Sequence, residues 1–216
     1  MTEKFEAYRR ILLRENAKYN LTAITDPEEI AQKHFADSLS LLEAYDVQQS
    51  ARLLDVGSGA GFPGAPLAIT RPDLRVTLLE STAKKANFLR LLAEELDLPL
   101  TVVCARAEQA AHSPALRESF DLVVSRAVAG LPLLCELCLP FVNAGGAFAA
   151  YKGTREKTEA ELRGAARAIT LLGGELLQTA GEATNYGERT LVLIRKIAHT
   201  PAIYPRNHGA MVKKPL

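Results

Sequence analysis

The residues best suited to chemistry lie between Arg52 and Gly64, in the stretch R-L-L-D-V-G-S-G-A-G-F-P-G. Leu53, Leu54 and Val56 form a short apolar run, the pattern of a buried parallel strand. Glycines follow at Gly57, Gly59, Gly61 and Gly64, and Pro63 stands where a helix would begin. Strand, glycine turn and helix in that order let a ligand approach the backbone closely, because no Cβ stands in the way. They also offer it the free N–H groups of a helix start. Gly59, Gly61 and Gly64 fit the dinucleotide fingerprint G-x-G-x-x-G. Asp55, two residues before the first glycine, pulls the other way. A carboxylate there suits a ligand with a positive amino group and no pyrophosphate to repel, and S-adenosylmethionine (SAM) is such a ligand. Two readings of Asp55 stay open, a ligand contact and a local hydrogen bond that braces the turn. Glu80, at the end of the next strand, has the spacing of an acid on ribose hydroxyls, which SAM and NAD share.

Other candidates carry weaker signals. His34, Asp37 and Ser38 form H-x-x-D-S, where His34 and Asp37 at i, i+3 share a helix face. They face a substrate cleft, or they are a surface pair or a packed histidine. Cys135 and Cys138 form C-x-x-C inside L-P-L-L-C-E-L-C-L-P. With no second pair at zinc-ligand spacing, the reading is two buried thiols on an apolar helix face, and no metal is expected. Three cysteines in all also argue against a disulfide framework.

The chain has 216 residues, 48% of them hydrophobic, enough for one domain with an addition or two small ones. No apolar run is long enough to span a bilayer, and the charged first ten residues lack a signal-peptide core, so the expectation is a cytoplasmic protein. Charge is uneven. Of the 26 Lys and Arg, six (Arg189, Arg195, Lys196, Arg206, Lys213 and Lys214) follow Glu188, after which no acidic residue occurs, leaving 20 against 25 acidic residues before it. A basic end on an acidic body suits contact with a polyanion such as RNA, or is a solvated terminus.

The elements that must position these residues follow from periodicity. Glu3 to Lys18 is helical, with Phe5, Tyr8, Ile11 and Leu12 at helical spacing. Asp26 is placed to N-cap a second helix reaching about Ala44, with Pro27 at its first position and Glu29 placed for a capping box. No strand precedes Arg52, so residues 1–45 form a helical extension, 46–197 the main domain and 198–216 a basic tail. From Arg52 strands and helices alternate. Helices are expected at Pro63–Thr70, Ser81–Leu96, Leu131–Leu139 and Thr154–Leu172. Strands are expected at Arg75–Glu80, Leu100–Cys104, Phe120–Ser125 and Ala147–Tyr151, with two more at Glu175–Thr179 and Thr190–Lys196 around a hairpin at Gly187. The fold class is therefore α/β, a mostly parallel sheet with helices on both faces, whose ligands bind beyond the C-terminal strand ends. Gly57 to Phe62, Glu80, the acidic loop Arg106-Ala107-Glu108, Arg126 and Lys152 all fall on that edge and are expected to converge.

These motifs together resemble one family. L-D-V-G-S-G-A-G-F-P-G followed by R-P-D-L, S-R-A at Ser125 to Ala127, Y-K-G at Tyr151 to Gly153, N-L-T at Asn20 to Thr22 and the H-x-x-D-S at His34 are similar to the bacterial small-subunit (16S) rRNA guanine-N7 methyltransferases, also called glucose-inhibited division protein B. The tail Y-P-R-N-H-G-A-M-V-K-K-P-L resembles a family ending in Y-P-R-K-x-G-x-x-x-K-x-P-L and departs from it at Asn207. The resemblance implies a Rossmann-like class I SAM-dependent methyltransferase with a seven-stranded sheet. It implies SAM as cofactor, and 16S rRNA or the small ribosomal subunit as partner of a monomeric enzyme. By that analogy SAM is held by Asp55, Gly57, Gly59, Gly61, Phe62 and Glu80, with Ala107 and Glu108 bracketing the adenine and Arg126 beside the cofactor and the incoming base. Guanine N7 has an in-ring lone pair and no proton to remove, so no general base is expected. Arg126 and Lys152 are then the catalytic candidates, as groups that hold phosphate or guanine O6. Each has an alternative as an ion pair at a strand end. His34, Asp37 and Arg206 are further substrate candidates, and Phe62, Tyr151 and Tyr186 are the aromatic candidates for stacking the base, with core packing the default for each. Two other functions fit parts of the pattern: a small-molecule methyltransferase on the same fold, and an NAD-dependent oxidoreductase.

Overall fold

In a computed structural model of the chain the described residues are 2–184 and 187–216, with the side chains of 182–184 left aside. Tyr186, a stacking candidate, lies outside them. Seven strands form one sheet in the order β3-β2-β1-β4-β5-β7-β6. The chain divides into two compact units, Met1–Ala105 and Arg106–Leu216. The division falls inside residues 46–197, which the alternation of strands and helices marks as the main domain.

The first unit opens with α1 (Glu3–Tyr19), whose Phe5, Tyr8, Ile11 and Leu12 are buried as their spacing predicts. Asn20 ends it in the left-handed conformation at φ 51°, and the Asn16 side chain accepts from the N–H groups of Leu21 and Thr22. α2 (Pro27–Ile30) is capped by Asp26, which accepts from the N–H groups of Glu28 and Glu29. The capping box does not form: the Glu29 carboxylate pairs with Lys33 at 2.6 Å, one turn further on. The expected single helix is interrupted by a π-helical turn, Ala31–Ala36, before α3 (Asp37–Ala44). β1 (Arg52–Val56), α4 (Gly64–Thr70), β2 (Arg75–Glu80), α5 (Ala83–Glu95) and β3 (Thr101–Cys104) follow. β1 and β2 run parallel with Asp55 opposite Leu78, and β2 and β3 run parallel with Glu80 opposite Cys104. Phe88, Leu89 and Leu92 on α5 are fully buried, and each such side chain stabilises the fold by about 1.5–3 kcal/mol.

The second unit contains α6 (Ala107–Ala110), β4 (Phe120–Arg126), α7 (Leu131–Cys138), a 3-10 turn (Leu139–Phe141), β5 (Val142–Lys152), α8 (Arg155–Leu171), β6 (Gly174–Thr184), β7 (Gly187–Lys196) and α9 (His208–Lys213). β4 and β5 are parallel, whereas β7 pairs antiparallel with both β5 and β6. The last two strands form a longer antiparallel pair than their apolar cores predict, β6 reaching Thr184 and β7 beginning at Gly187.

The tail is not a solvated terminus. Arg206 makes a two-pronged pair with Glu136, Nε to Oε1 at 2.8 Å and Nη2 to Oε2 at 2.6 Å, and its N–H also donates to Oε1. Glu136 is 1% exposed and lies on α7, so a buried carboxylate anchors the last segment. Arg117 adds donations to the carbonyls of Thr200 and Tyr204, both at 2.8 Å. Lys196, with no side-chain exposure, donates to the carbonyl of Leu139 and lies 3.3 Å from Glu118.

Candidate cofactor and substrate site

In the first unit β1 delivers Asp55 and β2 delivers Glu80, and both carboxylates turn onto the glycine loop between β1 and α4. Gly64 N–H donates to Asp55 Oδ2 at 2.9 Å. Gly59 N–H donates to Glu80 Oε2 at 3.0 Å, and Thr82 N–H to Oε1 at 2.8 Å. Both side chains are buried. Asp55 therefore braces the turn, one of its two expected roles. Glu80 braces it as well, while each of its oxygens keeps a second lone pair for a hydroxyl donor.

Gly59, Gly61 and Gly64 differ in what surrounds them. Gly57, Gly59 and Gly61 have φ of 76°, 56° and 96°, a region L side chains rarely occupy. A Cβ on Gly61 would run into the Tyr8 hydroxyl, and one on Gly64 would lie 2.5 Å from Leu78 Cδ2 and 2.9 Å from Asp55 Oδ2. A Cβ on Gly59 would meet nothing closer than the Gly57 carbonyl at 3.9 Å. So Gly61 and Gly64 are closed by protein, and the backbone at Gly59 is the open part of the cradle. An open glycine N–H turn beside a carboxylate fits a ligand carrying ribose hydroxyls. Pro63 is the N-cap of α4 rather than its first residue.

Helix α1 and the π-helical turn clamp this loop. The Tyr8 hydroxyl donates to the Ala60 carbonyl at 2.6 Å, and the Tyr8 ring stacks on Phe62 with centroids 5.3 Å apart. His34 stacks on the same Phe62 at 4.5 Å. Phe62 is 5% exposed, so its ring packs against protein rather than lying open to a base. His34 Nδ1 lies 3.2 Å from the Lys33 carbonyl, and its Nε2 lies 2.9 Å from Thr22 Oγ1. His34 thus takes the packed-histidine role. Asp37, half-buried, opens α3. Tyr8 was not singled out by sequence, where it is one apolar position among several on α1.

In the second unit Ala107 and Glu108 start α6 rather than forming a loop, and Glu108 accepts from Arg106 Nε at 3.1 Å. Arg126, half-buried, ends β4 opposite Tyr151 of β5, and Tyr151 is buried, its default role. Ala127, the next residue, is left-handed at φ 57°. Lys152, at the end of β5, donates to the Ala129 carbonyl at 3.1 Å and pairs with Glu161 at 2.7 Å, so its ion-pair alternative is present. Arg206 is engaged by Glu136, which leaves it an anchor of the tail. A lone Glu in the apolar run L-P-L-L-C-E-L-C-L-P was the signal that this partner exists, because a buried charge needs one. Cys135 and Cys138 are buried free thiols, and burial pushes Cys135 up to about 12, which keeps it unreactive.

Among the described residues no group of three or more His, Cys, Asp or Glu is placed to hold a metal ion. Nor is any helix among them long and apolar enough to cross a membrane.

Comparison with known proteins agrees with this fold and these motifs. Residues 1–192 match the family model described as GidB: rRNA small subunit methyltransferase G. Two similar relatives are both described as ribosomal RNA small subunit methyltransferase G. That of Lachnoclostridium phytofermentans is 46% identical over 99% of this chain and 89% of the relative, and that of Clostridium botulinum strain Alaska E43 is 44% identical over 99% and 90%. Among solved structures, a putative O-methyltransferase from Klebsiella pneumoniae superposes with a TM-score of 0.62 at 17% identity, covering 88% of this chain and 90% of that one. The T. thermophilus 16S rRNA N2 G1207 methyltransferase, in complex with AdoMet and guanosine, gives 0.52 at 20% identity over 75% and 39%. At these identities the structures attest the class I methyltransferase fold alone. The match in sequence decides against an oxidoreductase and against a small-molecule methyltransferase. The chain belongs to the GidB family of SAM-dependent rRNA small subunit methyltransferases.

Proposed function

We propose that this enzyme methylates N7 of a guanine in 16S rRNA, with SAM held at the open glycine turn of the first unit and the guanine held by Arg126. The observation that carries the reading is the turn itself. Two buried carboxylates and a tyrosine fix its backbone, and Gly59 is left open to a ligand. When bound, SAM supplies a methyl group made electrophilic by its sulfonium. In this reading Glu80, already accepting from Gly59, takes the ribose hydroxyls, and the turn around Gly59 gives the ligand room to approach.

Because N7 carries no proton, the chain's task is orientation, and no general base is needed. Arg126 suits guanine O6 or a phosphate, since a contact on N7 itself would block the reaction. The substrate is 16S rRNA or a small-subunit particle, and the enzyme acts as a monomer in the cytoplasm, a state that size-exclusion chromatography tests. Purified protein with labelled SAM is expected to label hypomethylated small subunits. Arg126→Ala is expected to abolish labelling while the protein stays folded by circular dichroism. Unlabelled subunits with the unaltered protein would refute the reading.

A further inference from the structure

We propose that Glu161 is a positioning residue for methyl transfer and that Lys152 acts through it, the pair fixing the backbone from Arg126 to Leu131 instead of Lys152 gripping RNA. The proposal rests on the reading above, in which Arg126 holds the guanine.

Glu161 Oε2 sits at a junction. It accepts from Leu131 N–H, the first residue of α7, at 2.7 Å, and lies 2.7 Å from Lys152 Nζ. Lys152 Nζ in turn donates to the Ala129 carbonyl at 3.1 Å. One carboxylate oxygen on α8 thus ties the end of β5 to the start of α7, and through Lys152 to the middle of the loop after β4. Ala127, Val128 and Gly130 are exposed, so burial contributes little there. Ala127 also sits in the left-handed region at φ 57°, which costs a residue with a Cβ roughly 1–2 kcal/mol. A strained, exposed segment keeps one shape only if its surroundings determine it.

Lys152 is itself 11% exposed at the side chain, with two of its three donors directed at Ala129 and Glu161. Reaching out to a phosphate would break both contacts. Arg126 is three residues before Ala129, so its position follows the backbone that Lys152 holds. In a reaction that moves no proton, a small error in that position appears directly in the rate.

The test is a double-mutant cycle of Lys152→Met and Glu161→Gln. Glu161→Gln keeps an acceptor for Leu131 N–H and removes only the charge. Methyl transfer to hypomethylated small subunits is measured at saturating SAM, and amide hydrogen exchange of residues 127–131 is measured in the protein without RNA. Each single variant is expected to lose about ten- to a hundredfold in kcat/KM. The double variant should lose no more than the worse single one, and residues 127–131 should exchange faster in all three at nearly unchanged melting temperature. If Lys152→Met does not fold, Lys152→Gln takes its place. The proposal is overturned if the two losses multiply, as they would were Lys152 an independent RNA contact. It is also overturned if Glu161→Gln leaves both rate and exchange unchanged. If the unaltered protein labels no RNA, the functional reading fails instead. The exchange cycle alone then decides: a shared loss of protection upholds the staple, and independent or absent losses overturn it.

Discussion

The loop after β1 and the loop after β4 each present backbone at the end of a parallel strand, and they are held by different forces. The first is closed by packing and short backbone hydrogen bonds. Tyr8 fills the space above Gly61, Leu78 and Asp55 fill the space above Gly64, and neutral N–H groups donate to buried carboxylates. The second lies between exposed residues and is held by charge, with Lys152 and Glu161 at its base and Glu136 with Arg206 further along α7. Packing tolerates almost no added volume but ignores pH. Ion pairs tolerate changes of shape, and their cost appears when one partner is removed. The first loop is thus a fixed cradle suited to one cofactor. The second is set by a few replaceable contacts.

The largest effect should come from removing a charge in the second unit. Arg206→Ala leaves Glu136 buried with no cation, and is expected to destabilise by about 3–5 kcal/mol. Urea unfolding measures it, and a loss below about 1 kcal/mol, typical of a surface pair, would break the contrast. A volume change in the first unit comes next. Gly64→Ala places a methyl 2.5 Å from Leu78 Cδ2 and is expected to cost about 1–3 kcal/mol, with SAM binding weakened as the turn shifts. Thermal melting with and without SAM separates the two losses, and an unchanged melt would show that the cradle yields.

The smallest effect is a dependence on pH. Burial holds Lys196 down at about 8, against an ordinary 10.5, despite the Glu118 carboxylate beside it; Arg117 lowers it further. A base depressed in the folded state binds its proton more weakly there than in the unfolded chain. Its penalty is therefore full below about 8 and is relieved as pH rises towards 10.5, so this group makes stability increase with pH across that window. Burial pushes Glu118 up, but His199, Thr200 N–H and Lys196 together hold it below the usual carboxylate range, and it keeps its charge throughout. Across that window the melting temperature of the protein should rise with pH relative to that of Lys196→Met. Parallel curves would sharpen the contrast against charge as the second unit's weak point.

Much of the fold was legible because period and punctuation are local. The burial of Phe5, Tyr8, Ile11 and Leu12, the Asp26 cap and the glycine turn after Val56 were each written in neighbouring residues. The misses have physical causes. The π-helical turn at Ala31–Ala36 follows from packing His34 and Phe35 on Phe62, which is far away in sequence. The capping box failed because Glu29 found Lys33 closer to hand. Arg106-Ala107-Glu108 looked like a loop because a four-residue helix leaves no period to detect.

The sequence by itself determined the strand–glycine–helix cofactor motif, the α/β class and the family, since these depend on residue types at short, fixed spacing. Only the tertiary structure decided which glycines are closed and which one is open. It alone showed that Asp55 and Phe62 shape the cradle, and that Lys152 and Arg206 are committed to Glu161 and Glu136. Those outcomes depend on which side chain arrives from a distant segment within about 3 Å, the range over which a hydrogen bond forms, and no local pattern encodes that arrival.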